Sequence, residues 1–178
     1  MTNIRSTDGF TLVELMIVVS IIGIIAATAV PGLVRARQAG NEASAIGSVR
    51  TVSSAQAAFS ASCGGGGFAS TLAALAAPPP GGVPFISADL VGANVAPGKS
   101  GYVVNNVGNG TVVLAAAATC NASAASNTNY LITATPLAVG STGQRSFGSD
   151  ARGTVFQRST GFILTAPLAV AGSVTVLQ

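Results

Sequence analysis

The chain has 178 residues and a formal net charge of +3, and only 7% of its residues are Asp, Glu, Lys or Arg. A typical soluble domain carries about 25% charged residues, so Ser, Thr, Asn, Gly and Ala must form most of this surface. The basic residues are scattered singly, which argues against direct nucleic-acid binding. The length suits one domain of ordinary size.

The sequence contains no His, and its five acidic residues are isolated from one another. The usual residue sets of metal sites and of acid/base catalysis are therefore missing. We predict a protein that is not an enzyme, with no catalytic residues, no metal site and no cofactor.

The stretch from Phe10 to Val30 is apolar over twenty-one residues and contains a single charge, Glu14. A helix rises about 1.5 Å per residue, so this stretch reaches roughly the 30 Å of a bilayer hydrocarbon core. A carboxylate near the start of such a segment is costly unless it has a partner. The stretch therefore predicts a transmembrane helix in which Glu14 has a function.

Two plain explanations of this stretch are a secretory signal peptide and an ordinary membrane anchor. The triplet at 27–29, Ala-Thr-Ala, imitates the small-residue cleavage site of a signal peptide. The residues before the stretch fit a signal peptide poorly, because Asp8 offsets Arg5 where a positive charge is normal. In an ordinary anchor Glu14 would be incidental, which its cost in lipid argues against.

A third explanation rests on residues 9–15, which read GFTLVEL and precede an apolar run that ends at Pro31. This pattern resembles the processing signature of type IV prepilins and of their relatives, the pseudopilins of type II secretion. The resemblance implies that a prepilin peptidase cuts between Gly9 and Phe10 and methylates the new N-terminal Phe10. It also implies that Glu14 pairs with the N-terminal amine of a neighbouring subunit and so sets the register of a filament. An unpaired carboxylate in lipid is costly, whereas a paired one marks a single correct offset.

The same resemblance predicts the organisation of the chain. Residues 1–9 would be a leader peptide, 10–31 a transmembrane and filament-core helix, and 32–178 a periplasmic or extracellular pilin head. The precursor would cross the bacterial inner membrane once, and the assembled filament would be extracellular. Arg35 and Arg37 by themselves favour the opposite orientation, but the counts are small and the cleavage motif places the leader in the cytoplasm.

The resemblance also predicts the partners of the chain. They are identical or related pilin subunits, the prepilin peptidase, an inner-membrane assembly platform with its ATPase, and membrane lipid before assembly. No nucleic-acid partner is predicted.

Beyond Pro31 the pattern becomes amphipathic, so one helix from about Thr11 to about Ser62 is the simplest interpretation. Pro31 should kink this helix and Gly23 should weaken it, which predicts flexibility at both positions. The polar residues, Glu42 among them, lie mostly away from the apolar face. That face is formed by Ala39, Ala43, Ile46, Val49, Val52 and Phe59.

Four glycines at 64–67 should stop the helix directly after Cys63. A short helical or irregular piece at 70–77 and a loop at 82–99 are expected to follow. Cys63 and Cys120 are an even number of cysteines in a chain whose bulk should lie outside the cytoplasm, which favours a disulfide. Two small buried thiols are the alternative.

From Gly101 onward, short β-branched and aromatic runs predict antiparallel strands. Asn109-Gly110 predicts a hairpin turn between the first two of them. The apolar face of this sheet should pack on the apolar helix face, giving an α+β pilin fold. The tail from Thr160 to Gln178 stays undecided between a last strand and an extension. The predicted strands are 102–107, 111–116, 130–135, 145–147, 154–157 and 162–165.

The favoured function is that of a structural subunit of a type IV pilus-like filament. The first alternative is a type II secretion pseudopilin, whose major members typically bind calcium in an acid-rich C-terminal loop. Here that region offers Asp150 alone, and calcium prefers six to eight oxygen ligands. A less favoured alternative is a secreted binding module released by a signal peptidase.

Overall fold

The structure is a computed structural model that describes residues 9–161, 164–165, 168–169 and 172–177. The chain divides into two compact units, Met1–Ala36 and Arg37–Gln178. Helix α1 covers Leu12–Ser62 and contributes residues to both units. The single long helix predicted from the sequence is therefore confirmed, with its ends within one residue of the expected positions.

The first unit has no buried residue between positions 9 and 36. Its large apolar side chains, which run from Phe10 to Val34, are all exposed. Water is a poor solvent for such a surface, because each apolar group that stays exposed forgoes the free energy of burial. This part of α1 therefore needs lipid or another protein around it.

The second unit contains the rest of α1, two short helices and a sheet. The helices α2 and α3 and two 3₁₀ turns lie between the strands and connect them. The strands are β1 (Phe68–Ala69), β2 (Tyr102–Leu114), β3 (Ser126–Pro136), β4 (Ser146–Asp150), β5 (Val155–Arg158) and β6 (Val174–Val176). The other elements are α2 (Leu72–Ala76), α3 (Ala88–Val91) and the 3₁₀ turns Gly92–Asn94 and Ala116–Ala118.

All strand pairs in the sheet are antiparallel, as the sequence predicted. β3 is the central strand and pairs with β1, β2 and β4, while β5 and β6 continue the sheet beyond β4. The strands predicted at 130–135, 145–147 and 154–157 correspond to β3, β4 and β5. The predicted α+β class, a long helix with an antiparallel sheet, is confirmed.

The core of the second unit forms between α1 and the sheet. Val49, Val52 and Phe59 are fully buried in the same cluster as Tyr102 and Ile132 of the sheet. Ile46 is partly buried against this cluster. These contacts confirm the predicted packing of the helix face from Ile46 to Phe59.

The hairpin predicted at Asn109-Gly110 is wrong. β2 runs through these residues without turning and stays paired with β3 from Tyr102 to Leu114. The register shifts between Asn109 and Val112, where β2 holds one more residue than β3. Gly110 has φ +84°. A β-bulge and a hairpin turn both use a glycine with positive φ, so the same dipeptide is compatible with either.

Two further predictions need correction. The segment at 82–99 is not simply a loop, because it contains α3 and the turn Gly92–Asn94. On α1, Ala39 and Ala43 are exposed, whereas Glu42 and Ala45 are buried. The helical pattern placed Glu42 on the exposed side of α1 because its side chain is charged. The pattern cannot show that a partner elsewhere in the chain makes burial of the carboxylate possible.

The C-terminal segment is described only in part. The strand predicted at 162–165 falls on Phe162 and Ile163, which lie outside the described residues, and Leu164 and Thr165 are not in a strand. The last strand is β6, which pairs with β5 from Val174 to Val176. The strands β1 and β6 have two and three residues, too few for a sequence pattern to identify.

Candidate processing and assembly site

The predicted cleavage bond, between Gly9 and Phe10, lies before the first residue of α1. A Cβ atom added at Gly9 would have no neighbour within 4 Å, and Phe10 is 87% exposed. Neither residue belongs to a helix or a strand. Exposed backbone outside regular structure is where proteases cut most readily, so this bond is open to an enzyme.

Thr11 and Glu14 form a capping box at the start of α1. Glu14 Oε2 accepts hydrogen bonds from the Thr11 backbone N–H at 3.0 Å and from Thr11 Oγ1 at 2.7 Å. In return, the Glu14 backbone N–H donates to Thr11 Oγ1 at 3.2 Å. The first N–H groups of a helix lack partners within the helix, so this arrangement stabilises its start. The spacing Thr-x-x-Glu before an apolar run could have revealed the box, whereas the charge of Glu14 alone did not.

Gly23 and Pro31, the residues predicted to give flexibility, both lie inside α1. The helix is continuous from Leu12 to Ser62 and includes Pro31. Proline has no backbone N–H, so one helical hydrogen bond is missing there. Open space surrounds the position of a Cβ at Gly23. The role of these residues in flexibility stays a prediction.

Within the described residues, α1 is the helix that is long and apolar enough to cross a membrane. The hydroxyl groups in its apolar half are bonded within the helix itself. Ser20 Oγ donates to the carbonyl of Met16 at 2.8 Å, and Thr28 Oγ1 donates to the carbonyl of Ile25 at 3.0 Å. A polar group satisfied in this way adds little cost to a membrane helix.

Residues 4–30 match the family model of the prokaryotic N-terminal methylation motif. This motif is the signature of type IV pilin and pseudopilin precursors, and the match confirms the resemblance drawn from residues 9–15. The comparisons found no match to the chain among curated proteins or solved structures. The chain thus carries at its N-terminus the motif that type IV pilin and pseudopilin precursors share.

The second unit contains the predicted disulfide, which joins Cys63 to Cys120 with a Cα–Cα distance of 4.7 Å. It ties the end of α1 to the segment before β3. The backbone N–H of Cys120 also donates to the carbonyl of Cys63 at 3.3 Å. The bond closes a sequence separation of 57 residues, which on the chain-entropy model stabilises the fold by about 4 kcal/mol.

A buried amide network fixes α1 against β1 and β2. Gln56 is fully buried, and its side chain donates to the Ala69 carbonyl at 2.8 Å and accepts from the Ala69 N–H at 2.8 Å. It also donates to Asn106 Oδ1 at 3.0 Å, while Asn106 Nδ2 donates to the Ala69 carbonyl at 3.0 Å. Gln56 therefore bonds to the backbone of β1 as a neighbouring strand would. Buried amides of this kind require such partners.

Glu42 of α1 holds the segment that precedes β4. Its Oε2 accepts from Arg145 Nε at 2.8 Å and Nη2 at 2.6 Å, and its Oε1 accepts from the backbone N–H groups of Gln144 and Arg145. Burial raises the pKa of Glu42, but these hydrogen bonds outweigh it and hold the pKa below its ordinary value. Glu42 stays ionised at neutral pH, so the bonds persist there.

Two neighbours of Glu42 on α1 bind the same segment. Gln38 Nε2 donates to the carbonyl of Gly140 at 2.5 Å, and Asn41 Nδ2 donates to the carbonyl of Thr142 at 2.9 Å. Sequence reasoning missed this set of contacts because its members are about a hundred residues apart.

The other acidic residues of the second unit are paired with basic ones. Asp150 is buried, and both of its oxygens accept from Arg152. Asp89 bonds to Lys99 and to Ser87, which lowers the pKa of Asp89 to about 2. Among the described residues no three acidic or cysteine side chains gather as metal ligands would. The carboxylate that a calcium site would need at Asp150 is thus already engaged.

An open groove of about 590 Å³ lies beside the second half of α1, lined by Ser53, Ser60, Phe68, Tyr130 and Arg152 among others. The Tyr130 hydroxyl and Ser53 Oγ are 3.0 Å apart. Burial raises the pKa of Tyr130, so its hydroxyl stays protonated at neutral pH and is a poor base. The groove therefore offers the paired hydroxyl groups of Ser53 and Tyr130 as a polar contact.

Proposed function

We propose that this chain is the precursor of a structural subunit of a type IV pilus-like filament. The observation that carries the proposal is the methylation motif at residues 4–30, which coincides with a helix half whose large apolar side chains are all exposed. Such a surface has two suitable environments, a bilayer before assembly and the helices of neighbouring subunits afterwards. The subunit acts by assembly and has no enzymatic role.

In this proposal a prepilin peptidase removes residues 1–9 and methylates Phe10. The exposed, non-helical backbone of Gly9 and Phe10 supports the assignment of the cut. Cleavage creates an amine on Phe10, four residues before Glu14 and close to the start of α1, where Glu14 already accepts hydrogen bonds. The bacterial inner membrane holds the precursor, and an assembly platform with its ATPase moves the subunit into the filament.

Glu14 sets the axial register in the filament by pairing with the Phe10 amine of a neighbouring subunit. The contacts that Glu14 makes in the precursor come from a neutral N–H and a hydroxyl. A charged amine is a stronger donor to a carboxylate than either of these groups. Assembly therefore gives the Glu14 carboxylate a partner that lipid cannot supply, and only one offset between subunits provides it.

The second unit, Arg37–Gln178, forms the part of the subunit that faces water. The disulfide, the Gln56 network and the Glu42–Arg145 contacts all lie in this region. They hold short strands together in a region poor in charge. We propose identical or related subunits as its neighbours in the filament.

The type II secretion pseudopilin is the second candidate, because the motif is shared by both groups. The pairing of Asp150 with Arg152 speaks against a calcium site in the C-terminal region. A calcium titration followed by melting temperature separates the candidates, since a clear rise would favour the pseudopilin.

The proposal is tested by the mass of the mature N-terminus after expression with a prepilin peptidase. We expect a chain that begins at Phe10 and carries one methyl group. Gly9→Val should block the cut, because the added side chain crowds the backbone that the enzyme must approach. Ser6→Val places the same side chain elsewhere in the leader and should still be cut. A mature chain that begins at Val30, or normal cleavage of Gly9→Val, would refute the proposal.

A further inference from the structure

The exposed apolar surface of α1 continues beyond Pro31, the residue at which the predicted transmembrane segment ends. Leu33 and Val34 are 55% and 42% exposed, and neither contributes to the core of the second unit. The next residue, Arg35, is exposed and charged. Between Glu14 and Arg35 the sequence contains no other charged residue.

The uncharged interval from Leu15 to Val34 contains twenty residues. At about 1.5 Å per residue its length is roughly 30 Å, which is the thickness of a bilayer hydrocarbon core. A span over Phe10–Val30 has nearly the same length but places Glu14 inside the hydrocarbon and leaves Leu33 and Val34 in water. The later span avoids both costs, since charged groups in the core are expensive and apolar groups in water lose the benefit of burial.

We infer that Leu15–Val34 spans the bilayer of the precursor, with Glu14 in one headgroup layer and Arg35 bound to lipid phosphates in the other. This inference rests on the proposed function, because it takes the chain to be a membrane-inserted precursor. A guanidinium group presents paired N–H donors that match the oxygens of a phosphate. Long basic side chains at the end of a membrane helix also extend readily toward the headgroups.

The chemistry inside this interval is compatible with lipid. Its two hydroxyl side chains, Ser20 and Thr28, donate to carbonyls of the preceding turn. No buried contact of the described residues would be broken by lipid, because positions 15–34 are all exposed. The interval therefore brings no unsatisfied side-chain donor into the hydrocarbon.

This placement changes the role of Glu14 before assembly. In the headgroup layer its carboxylate keeps water and the hydrogen bonds from Thr11, so the precursor does not need a second charge beside it. The Gly9–Phe10 bond lies on the aqueous side of Glu14 and is accessible without drawing the helix out of the bilayer. Glu14 loses water only when the subunit enters the filament, and the neighbouring amine is needed only then.

Tryptophan depth measurements distinguish the two spans, because the chain contains no Trp of its own. Single substitutions Met16→Trp, Ser20→Trp, Ile24→Trp and Thr28→Trp place the probe along one helix face at successive turns. Each full-length precursor is inserted into vesicles of phosphatidylethanolamine and phosphatidylglycerol. Acyl chains brominated near the bilayer midplane then quench the deepest probe most strongly.

For a span over 15–34 we expect maximal quenching at Ile24→Trp, with similar, weaker quenching at Ser20→Trp and Thr28→Trp. Maximal quenching at Ser20→Trp would overturn the inference and support the span over 10–30, leaving the proposed function intact. If none of the four probes is quenched, the helix is not in the bilayer, and the proposed function fails together with the inference.

Removing the charge of Glu14 tests whether this residue defines where the membrane span begins. Glu14→Leu, made in the Ser20→Trp and Ile24→Trp backgrounds, should shift the maximum toward Ser20 by up to one turn. Glu14→Gln keeps a polar group at the same position and should leave the maximum at Ile24. An unchanged maximum in Glu14→Leu would contradict the boundary role.

The phosphate contact of Arg35 is tested by solid-state NMR on precursor with labelled arginine in the same vesicles. Dephasing of guanidinium nitrogen by lipid phosphorus should fall in Arg35→Gln. Arg50→Gln removes an exposed arginine of the second unit and should leave the dephasing unchanged. Equal dephasing in wild type and Arg35→Gln would overturn the assignment of Arg35 to the headgroup layer.

Discussion

In the second unit Val49, Val52 and Phe59 of α1 are fully buried, whereas Leu12, Ile22 and Val34 of the same helix lie exposed in the first unit. The sheet of the same chain covers Val49, Val52 and Phe59. Nothing among the described residues covers positions 9–36. The difference shows that the second unit owes its stability to its own contacts, while the first requires lipid or other subunits.

This difference leads to opposite expectations for large-to-small substitutions in the two units. Phe59→Ala should lower the free energy of unfolding of the second unit by about 4 kcal/mol, because it leaves a cavity in a packed core. Ile22→Ala should leave that free energy unchanged, since the side chain is 60% exposed. Denaturant unfolding of the detergent-solubilised protein measures the free energy of unfolding of both variants. Similar losses in Phe59→Ala and Ile22→Ala would contradict the division of the chain into a self-stabilised unit and an exposed one.

The disulfide should matter only to the second unit. Cys63→Ala with Cys120→Ala removes the cross-link and should cost about 3 kcal/mol, a little less than the loop-entropy value because two small apolar residues replace it. The membrane insertion of α1 should not change. The check is the melting temperature together with the fraction of protein recovered in membranes, and a loss of insertion would argue against separate units.

The smallest expected effect is the pH dependence of the Glu42 contacts. Because the pKa of Glu42 is lowered from 4.5 in the folded protein, its contribution is complete above that value and is lost as the pH falls through the lowered pKa. Melting curves from pH 7 to pH 2 should therefore decline more steeply in wild type than in Glu42→Gln. At pH 7 this variant should be about 2 kcal/mol less stable. Parallel curves would exclude Glu42 as a source of acid sensitivity.

The regular parts of the fold could be predicted because their signals are local. The apolar run, the four glycines after Cys63 and the β-branched runs fixed the extent of α1 and the positions of three strands. Asn109-Gly110 misled because turns and bulges both use a glycine with positive φ. The dipeptide forms a bulge and not a turn because β3 is long enough to pair with the whole of β2.

The candidate site was predictable to a similar extent. Gly9, Phe10 and Glu14 could be assigned from the motif because its residues lie close together in sequence, and their roles in processing and register stay predictions. The burial of Glu42 was not predictable, since it depends on Arg145 more than a hundred residues away. Long-range pairing of that kind leaves no trace in a helical period.

The central claim is that Glu14 serves assembly and not the stability of the second unit. The most direct measurement compares filament yield with the melting temperature of the second unit in Glu14→Val and wild type. We expect cleavage at Gly9 to be retained, the melting temperature to be unchanged, and filaments to be reduced at least tenfold. A normal filament yield from Glu14→Val, with the mature Phe10 terminus present, would contradict the account.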